Sequence, residues 1–304
     1  MNHLRVLMAS VALLGLVGCA AKKHLTADAY FHQASEDLGD GAYQPAVENY
    51  RELLDQYPFS EYSEEAELKI GHAQYLSGSC PEAIAAFTDF QRRHPTSPYL
   101  AFVGYLIGQC YEQQMRPPDR DQTASQNAHA YYAALKQQYP DSPFADLAQE
   151  DLNRCRESLA QHEAQVASFY SRHGNSKAAE YRWLDLVNRF NDTDTAAEAL
   201  YSLGQMYQKR GDDAQAMFAF AAVTQYHPDN GIAGKARGAL EELTAKHSMP
   251  DGDPLVALKA ETGRSRTLAL AEVVDVPGLE PKRNPPTGPA LGGAPDAGPF
   301  GGRY

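Results

Sequence analysis

The stretch GAYQPAVENYRELLDQYP, from Gly41 to Pro58, contains the pattern that decides the fold of this 304-residue chain. It opens with a glycine, continues through a small residue and an aromatic residue, and ends at a tyrosine–proline corner. Four later stretches end at comparable corners, so that the second corner residues stand at positions 58, 95, 140, 191 and 228. The intervals of 37, 45, 51 and 37 residues indicate a 37-residue repeat with insertions of 8 and 14 residues.

The five stretches also agree at fixed distances before each corner. Each has a small residue twelve positions upstream of the second corner residue, an aromatic residue eight upstream and an apolar residue five upstream. In chain order the small residues are Ala46, Ala83, Ala128, Ala179 and Ala216. The aromatic residues are Tyr50, Phe87, Tyr132, Trp183 and Phe220. The apolar residues are Leu53, Phe90, Leu135, Leu186 and Val223. Glycine stands seventeen positions before the second corner residue in four stretches, and Thr123 takes that position in the remaining stretch. The alternative is an ordinary amphipathic helical bundle, but helical periodicity alone does not keep such positions in phase.

This pattern is typical of tetratricopeptide (TPR) repeats, in which small residues stand where helices A and B approach and proline ends helix B. It predicts an all-α fold, a right-handed TPR superhelix of about five helix pairs over residues 26–247 with a concave groove. A capping helix is expected from about Ile232 to Lys246. The stretch from Phe144 to Arg172 has no helix breaker, so the 14-residue insertion should lengthen helix A of the fourth repeat by about four turns.

Local signals predict where individual helices begin. Ser142 before Pro143 is typical of an N-cap followed by proline at the first helical position. Thr195 and Glu198 have the spacing of a capping box. Helix B of the third repeat is expected to begin just after Asp121.

The N-terminus has the features of a bacterial lipoprotein signal. Arg5 supplies positive charge, Val6–Val17 is an apolar run, and a small residue precedes Cys19. We expect residues 1–18 to be a signal peptide and Cys19 to be lipidated, since several acyl chains together anchor a protein firmly to a membrane. Ala20 stands where an aspartate would favour the inner membrane, and this favours the outer membrane. The alternative is an ordinary signal peptide with an incidental cysteine.

Composition excludes several classes of protein. With 27 Lys+Arg against 39 Asp+Glu, the formal charge is −12, so no nucleic-acid partner is expected. A mean hydropathy of −0.50 and a longest apolar run of about twelve residues exclude a polytopic membrane protein. Four cysteines are too few for a disulfide scaffold. Cys110 and Cys155 are expected to be buried on helices, whereas Cys80 is expected to be exposed in a turn.

Two segments outside the repeats complete the predicted organisation. Residues 19–25 are expected to form a lipidated tether. Residues 248–304 are predicted to be a disordered tail, since positions 250–304 contain 9 of the 19 prolines and 9 of the 23 glycines. Within this tail, Thr267–Leu279 is more apolar and could dock as a short strand or helix.

The sequence contains no constellation that indicates catalysis. It has no phosphate-binding loop, no dinucleotide fingerprint and no HExxH or CxxC motif. The pair His162 and Glu163 has no second histidine four residues later, so no metal site is expected. We therefore predict a protein that is not an enzyme and needs no cofactor.

Repeat phasing places one set of side chains on the concave face of the superhelix. These side chains belong to helix A of the second and third repeats and form an aromatic and amide-rich wall that suits an extended peptide. The wall comprises Glu65, Leu68, His72 and Tyr75, then Phe102, Tyr105, Gln109 and Glu112, with Phe31 and Ser35 from the first repeat. The alternative is that these aromatics pack against the neighbouring helix.

Several stretches resemble the BamD (YfiO) family of outer-membrane β-barrel assembly lipoproteins. Beside the lipoprotein signal and the corners, they are DRDQT at Asp119–Thr123, LAQHE at Leu159–Glu163, and Ala178–Arg182. The resemblance covers about residues 25–245. The chain departs from it in its Pro/Gly-rich tail and in Asn191, which replaces the fourth corner proline.

The resemblance implies a non-enzymatic subunit. Its C-terminal repeats would hold the periplasmic POTRA domains of the barrel-inserting protein, and its N-terminal repeats would contact unfolded outer-membrane proteins. Other assembly lipoproteins would be further partners. Arg182 looks like the residue by which the family grips the barrel-inserting partner; the alternative is a surface ion pair. Two other functions stay open, a lipidated TPR adaptor that coordinates cell-wall synthesis or division, and an envelope enzyme.

Overall fold

The structure is a computed structural model that describes residues 25–260, which are predominantly helical and contain no β-strand. Eleven helices follow one another in this part of the chain: α1 Ala27–Gly39, α2 Tyr43–Gln56, α3 Ser63–Leu76, α4 Cys80–Arg93, α5 Leu100–Glu112, α6 Thr123–Gln138, α7 Pro143–Arg172, α8 Ser176–Phe190, α9 Asp194–Arg210, α10 Asp213–Tyr226 and α11 Ala233–Thr244. Residues 254–260 are helical as well. The all-α prediction is confirmed.

The described residues belong to two compact units, one that ends at Ser79 and one that begins at Cys80. In the first unit α2 packs against α1 and α3. In the second unit each helix from α4 to α11 packs against the next one along the chain. Helix α7 also contacts both α5 and α9, the contacts that stacked helix pairs produce.

The repeat positions behave as the TPR pattern predicts. All five small residues are fully buried, and so are all five apolar residues that lie five positions before the corners. The aromatic residues eight before the corners are also buried, with Trp183 at 6% exposure and the other four at 0%. Burial of these three sets stabilises the helical packing, since that packing is driven by apolar surface removed from water.

The repeat glycines lie in turns between consecutive helices. Gly41, Gly78, Gly174 and Gly211 all have φ between 76° and 82°. Only glycine adopts this left-handed conformation without steric cost, and it ends one helix so that the next can turn back. No other residue type would serve equally well there, which explains the fixed spacing of these glycines in the sequence.

Two helical glycines that the repeat pattern did not single out allow the paired helices to approach. A Cβ atom on Gly108 of α5 would lie 2.4 Å from the Tyr132 ring, and one on Gly204 of α9 would lie 2.5 Å from the Phe220 ring. In each case the aromatic side chain of helix B fills the space that the missing side chain of helix A leaves. The repeat aromatics and these glycines are therefore complementary.

Helix α7 contains 30 residues, whereas α1, α3, α5 and α9 contain 13 to 17. The predicted extension of about four turns is confirmed. The hydroxyl of Ser142 accepts a hydrogen bond from the backbone N–H of Phe144, so the predicted N-cap is present. Helix α6 begins at Thr123, as expected from Asp121.

The predicted capping box at Thr195 is wrong. The N-cap of α9 is Thr193, whose hydroxyl accepts from the backbone N–H of Ala196. Thr195 lies inside the helix, and its hydroxyl donates instead to the Glu157 carboxylate of α7. A tertiary hydrogen bond has therefore replaced the local one.

The C-terminal end of the fold extends further than the sequence suggested. The predicted capping helix is α11, but the predicted start of a disordered tail at residue 248 differs from the structure, where residues 254–260 form a helix. Asp253 caps this helix by accepting from the Val256 N–H at 2.9 Å, and Leu255 and Leu258 join the core of the second unit. The rest of the tail, including Thr267–Leu279, lies outside the described residues.

The three cysteines of the described chain are all buried. This confirms the prediction for Cys110 and Cys155. The expectation that Cys80 is exposed in a turn is wrong, because Cys80 is the first residue of α4 and is only 5% exposed. Its thiol donates to the side-chain oxygen of Gln113 at 3.5 Å. Cys19 and the predicted signal peptide lie outside the described residues.

Candidate partner-binding surfaces

The predicted wall residues of the first unit lie on α1 and α3. Phe31 stacks on Tyr62 with ring centroids 4.8 Å apart, and the Lys69 ammonium lies 5.5 Å from the centre of the Phe31 ring. The hydroxyls of Ser35 and Tyr50 hydrogen-bond at 2.9 Å. These contacts hold the α1 side of the wall in a fixed conformation.

His72 and Tyr75 are partly exposed on α3, whereas Leu68 of the same predicted wall is buried. Burial lowers the pKa of His72, and the positive charge of Lys69 lowers it further. The imidazole is therefore neutral at neutral pH, and its ring can serve as both hydrogen-bond donor and acceptor. A polar and aromatic surface of this kind suits a peptide.

In the second unit, the predicted wall residue Gln109 is the centre of a hydrogen-bond network. Its amide nitrogen lies 2.7 Å from the Asp151 carboxylate of α7, 3.0 Å from the Tyr132 hydroxyl and 3.2 Å from the Tyr105 hydroxyl, and its two N–H groups are shared among these three acceptors. Asp151 is only 5% exposed, so these bonds compensate for the burial of its charge. Gln109 thus connects α5 with both α6 and α7.

Glu112 belongs to the same network. It accepts from the Tyr132 hydroxyl at 2.7 Å and from the Arg154 guanidinium at 2.8 Å, and Arg154 also pairs with Asp151. Burial raises the pKa of Tyr132, and Glu112 raises it further. Since Glu112 and Gln109 already have partners within the domain, a peptide would meet them as a preorganised surface.

Phe102 and Tyr105 both pack against Phe144, with ring centroids 5.4 and 5.7 Å from it. Phe144 belongs to α7, so both aromatics pack against a neighbouring helix, as the alternative interpretation proposed. Both are nevertheless partly exposed. Their packing leaves a semi-exposed aromatic surface at the junction of α5 and α7.

Arg182 of α8 shares an acidic partner with a second arginine. Its guanidinium lies 3.1 Å from the Glu163 carboxylate, and that of Arg189 lies 3.3 Å from the same group. The Glu163 side chain is 13% exposed, whereas that of Arg182 is 39% exposed. The predicted alternative, an ion pair, is therefore present, while part of the Arg182 side chain still faces solvent.

Sequence reasoning missed a groove of about 1310 Å³ in the second unit. The C-terminal half of α7 forms one wall and α9 forms the other, with Trp183 of α8 and the α5–α6 loop contributing as well. Side chains that line it include His162, Phe169, Tyr170, Trp183, Met206 and Lys209. The Phe169 side chain is 50% exposed. The signal that could have revealed the groove was the 14-residue insertion, since it creates the additional wall.

The charges in this groove are mixed. Arg172 and Lys209 line it together with Asp119 and Glu198. Its apolar and polar groups therefore suit a protein segment of mixed composition. His162 helps to close one end, because its Nδ1 lies 2.6 Å from the carbonyl oxygen of Pro118 in the α5–α6 loop.

Residues 25–260 contain neither a candidate metal site nor a candidate membrane span. No group of three or more His, Cys, Asp or Glu side chains in this part of the chain is arranged to hold a metal ion. None of its helices combines the length and apolar composition that a bilayer crossing requires.

Stacked helix pairs with an open groove and partly exposed aromatic surfaces define a helical-repeat protein of the TPR type. A family model described as "YfiO: Outer membrane lipoprotein" matches residues 23–223. The chain belongs to this family.

Individual relatives agree with the family match. The chain is 27% identical to the outer membrane protein assembly factor BamD of Caulobacter vibrioides, over 82% of this chain and 91% of that protein. It is 29% identical to BamD of Vibrio cholerae, over 66% of this chain and 89% of the relative. With BamD of Neisseria meningitidis serogroup A, the identity is 28% over 65% of this chain and 82% of the relative.

Proposed function

We propose that this chain is a lipid-anchored, non-catalytic scaffold subunit of the machinery that assembles β-barrel proteins in the outer membrane. The observation that carries this proposal is the family match over residues 23–223 together with relatives named as outer membrane protein assembly factors. The helical-repeat fold supports it, because such repeats act by presenting binding surfaces. Lipidation of Cys19 would hold the protein at the periplasmic face of the outer membrane.

The C-terminal repeats bind the periplasmic POTRA domains of the barrel-inserting protein in this proposal. Two features support the assignment, the partly exposed Arg182 and the groove between α7 and α9. A folded domain buries about 800 Å² on each partner in a typical stable complex, and a groove with exposed aromatic and charged side chains offers suitable anchors.

The N-terminal repeats contact unfolded outer-membrane proteins. His72 and Tyr75 in the first unit, and Phe102, Tyr105, Gln109 and Glu112 in the second, are the proposed peptide-binding residues. Outer-membrane strands alternate apolar and polar side chains, and an extended chain of this kind can place aromatic residues against semi-exposed rings while it hydrogen-bonds to amides. Other assembly lipoproteins are further proposed partners.

Pull-down of the lipidated protein from solubilised membranes tests the proposal. Recovery of a large β-barrel protein with periplasmic domains is the expected result. Recovery of cell-wall synthases instead would support the alternative, an envelope adaptor that coordinates cell-wall synthesis or division. A Cys19→Ser variant cannot be lipidated, so the lipid mass found on residue 19 of the wild-type protein should be missing from it.

The Arg182→Glu substitution tests the proposed contact with the barrel-inserting partner. Reversal of charge at the interface should weaken partner binding at least tenfold, about 1.4 kcal/mol. Arg189→Glu is the matched control, because Arg189 shares the same Glu163 carboxylate, and it should retain partner binding. Both variants should keep the helical circular dichroism of the parent, and equal loss of binding in both would contradict a specific role for Arg182.

A further inference from the structure

Two of the buried thiols in the second unit are neighbours. Cys80 is the first residue of α4, and Cys110 lies in the last turn of α5. Helices α4 and α5 pack against each other, so the beginning of one lies beside the end of the other. Cys80 also reaches Gln113, one turn beyond Cys110, at 3.5 Å.

The two thiols influence each other. Burial, together with the neighbouring Cys80 thiol, raises the pKa of Cys110. Cys110 is 0% exposed and Cys80 is 5% exposed. A disulfide requires two sulfur atoms at short range on neighbouring backbone segments, and the packed helices α4 and α5 place Cys80 and Cys110 on such segments.

The third thiol has different surroundings. The Cys155 thiol lies 3.9 Å from the thioether sulfur of Met115, and burial raises the pKa of Cys155 to about 12. A thioether cannot form a disulfide. Cys155 is therefore the internal reference for a thiol that stays reduced.

We propose that Cys80 and Cys110 form a disulfide bond in the mature protein, a covalent link between helix B of the second repeat and helix A of the third. The inference rests on the proposed function in one respect, since it needs an envelope compartment in which disulfides persist. With Cys19 lipidated, it leaves Cys155 as the one free thiol of the chain.

The oxidant is a thiol–disulfide oxidoreductase in its disulfide form. The thiolate of one cysteine attacks a sulfur of that disulfide and forms a mixed disulfide, and the thiolate of the second cysteine then displaces the oxidoreductase. One S–S bond forms in the chain, and the oxidoreductase leaves as a dithiol that carries the two electrons and two protons. Because both sulfurs are buried in the fold, this exchange takes place before α4 and α5 have packed together.

Thiol labelling of the full chain tests the proposal. The lipoprotein is isolated from membranes in the presence of a denaturant and an alkylating reagent, and the labelled cysteines are identified by mass spectrometry. We expect one label, on Cys155, and labelling of Cys80 and Cys110 only after reduction. Labels on all three without reduction would overturn the proposal. The same mass spectrometry experiment shows whether Cys19 carries a lipid. A chain without the lipid would contradict the envelope location, whereas a lipidated chain with three labelled thiols would contradict the disulfide alone.

Purified full-length protein that is reduced in denaturant and then refolded in a glutathione redox buffer provides a test that does not depend on location. The Cys80–Cys110 peptide pair should become crosslinked while Cys155 stays reduced; a chain that keeps three thiols under oxidising buffer contradicts the proposal. Reduction of the wild-type protein should lower its Tm by several degrees, because a crosslink restricts the unfolded chain. The Cys80→Ala, Cys110→Ala double variant should show no such shift, whereas Cys155→Ala should show it in full.

Discussion

At the scale of single residues, the described repeats depend on complementary sizes at the place where paired helices meet. Gly204 of α9 has no side chain, and the Phe220 ring of α10 occupies the space. Gly108 and Tyr132 have the same relationship in the third repeat. The aromatic member of each pair was recognisable in the sequence from its spacing, but the glycine partner was not singled out.

We expect Gly204→Ala to destabilise the protein by about 1–3 kcal/mol. The new methyl group would lie 2.5 Å from the Phe220 ring, and overpacking of a dense core costs more than the improved helix propensity returns. Gly238→Ala in α11 is the matched control. Its Cβ meets nothing within 4 Å, so it should stabilise the helix by up to about 1 kcal/mol. Urea denaturation measures both, and equal effects would contradict the steric explanation.

Residue-scale chemistry also shows where prediction from the sequence failed. Thr195 has the spacing of a cap, yet Thr193 caps α9 because Thr195 bonds to Glu157 of another helix. Gln109 and Glu112 were placed on helix A correctly, but their partners Asp151 and Arg154 lie about 40 residues away in sequence. Local patterns contain no information on such tertiary partners.

At the scale of elements, the long helix α7 has two roles. Its N-terminal half contacts α5 through Phe144 and Asp151, and the helix also packs against α6. Its C-terminal half forms one wall of the groove with α9. The length of this helix was predictable because no breaker interrupts it, but the groove depends on how α7 and α9 are spaced.

Phe169→Asp should weaken binding of the barrel-inserting partner at least tenfold, about 1.4 kcal/mol, if the groove holds that partner. Phe169 is half-exposed in the groove, so its loss removes an aromatic anchor at little expense to the fold. Leu147→Asp is the matched control, since Leu147 lies on the same helix with 53% exposure but does not line the groove. Surface plasmon resonance with the partner's periplasmic domains measures both, and equal affinities would count against the groove.

The helix at 254–260 is an element that composition concealed. Pro/Gly-rich sequence follows it, and the segment was therefore predicted to be disordered from residue 248. Two leucines three residues apart after a capping aspartate are enough for one apolar face. That face is buried in the core of the second unit, with Leu258 fully inaccessible.

Leu258→Ala should cost about 2–4 kcal/mol of unfolding free energy, because it leaves a cavity in the core. Val256→Ala, on the same helix with Val256 66% exposed, should change stability by less than about 0.5 kcal/mol. Thermal unfolding followed by circular dichroism distinguishes the two. A Leu258 variant as stable as the Val256 variant would show that the segment does not pack in solution.

At the scale of the whole molecule, three partly buried histidines link stability to pH. Burial lowers the pKa of His72, His129 and His227. Arg156 and Arg189 lower that of His129 further, whereas carboxylates near His227 oppose the effect of burial. Each imidazole is therefore held neutral in the folded protein at a pH where the unfolded chain is already protonated.

Unfolding free energy should consequently fall as pH is lowered from about 7 toward 5.5. The pKa of each of these histidines in the folded protein lies below its value of about 6.5 in the unfolded chain. The unfolded chain therefore binds more protons than the folded protein in this pH range. The stability that these histidines contribute is complete above pH 7 and is lost as the pH falls. The His129→Gln, His227→Gln double variant should show a smaller loss in urea titrations at the two pH values. His32→Gln, at an exposed position, should behave as the wild type, and an unchanged slope in the double variant would contradict this account.

The stacking of α5, α7 and α9 also has a kinetic consequence. Each helix of the second unit finds most of its partners among the next two or three elements of the chain. Ordering such contacts closes only short loops, so the entropic barrier to folding is low and structure can spread from one repeat to the next. A chain that crosses a membrane as an extended thread could thus begin to acquire its native core while later segments are still in transit.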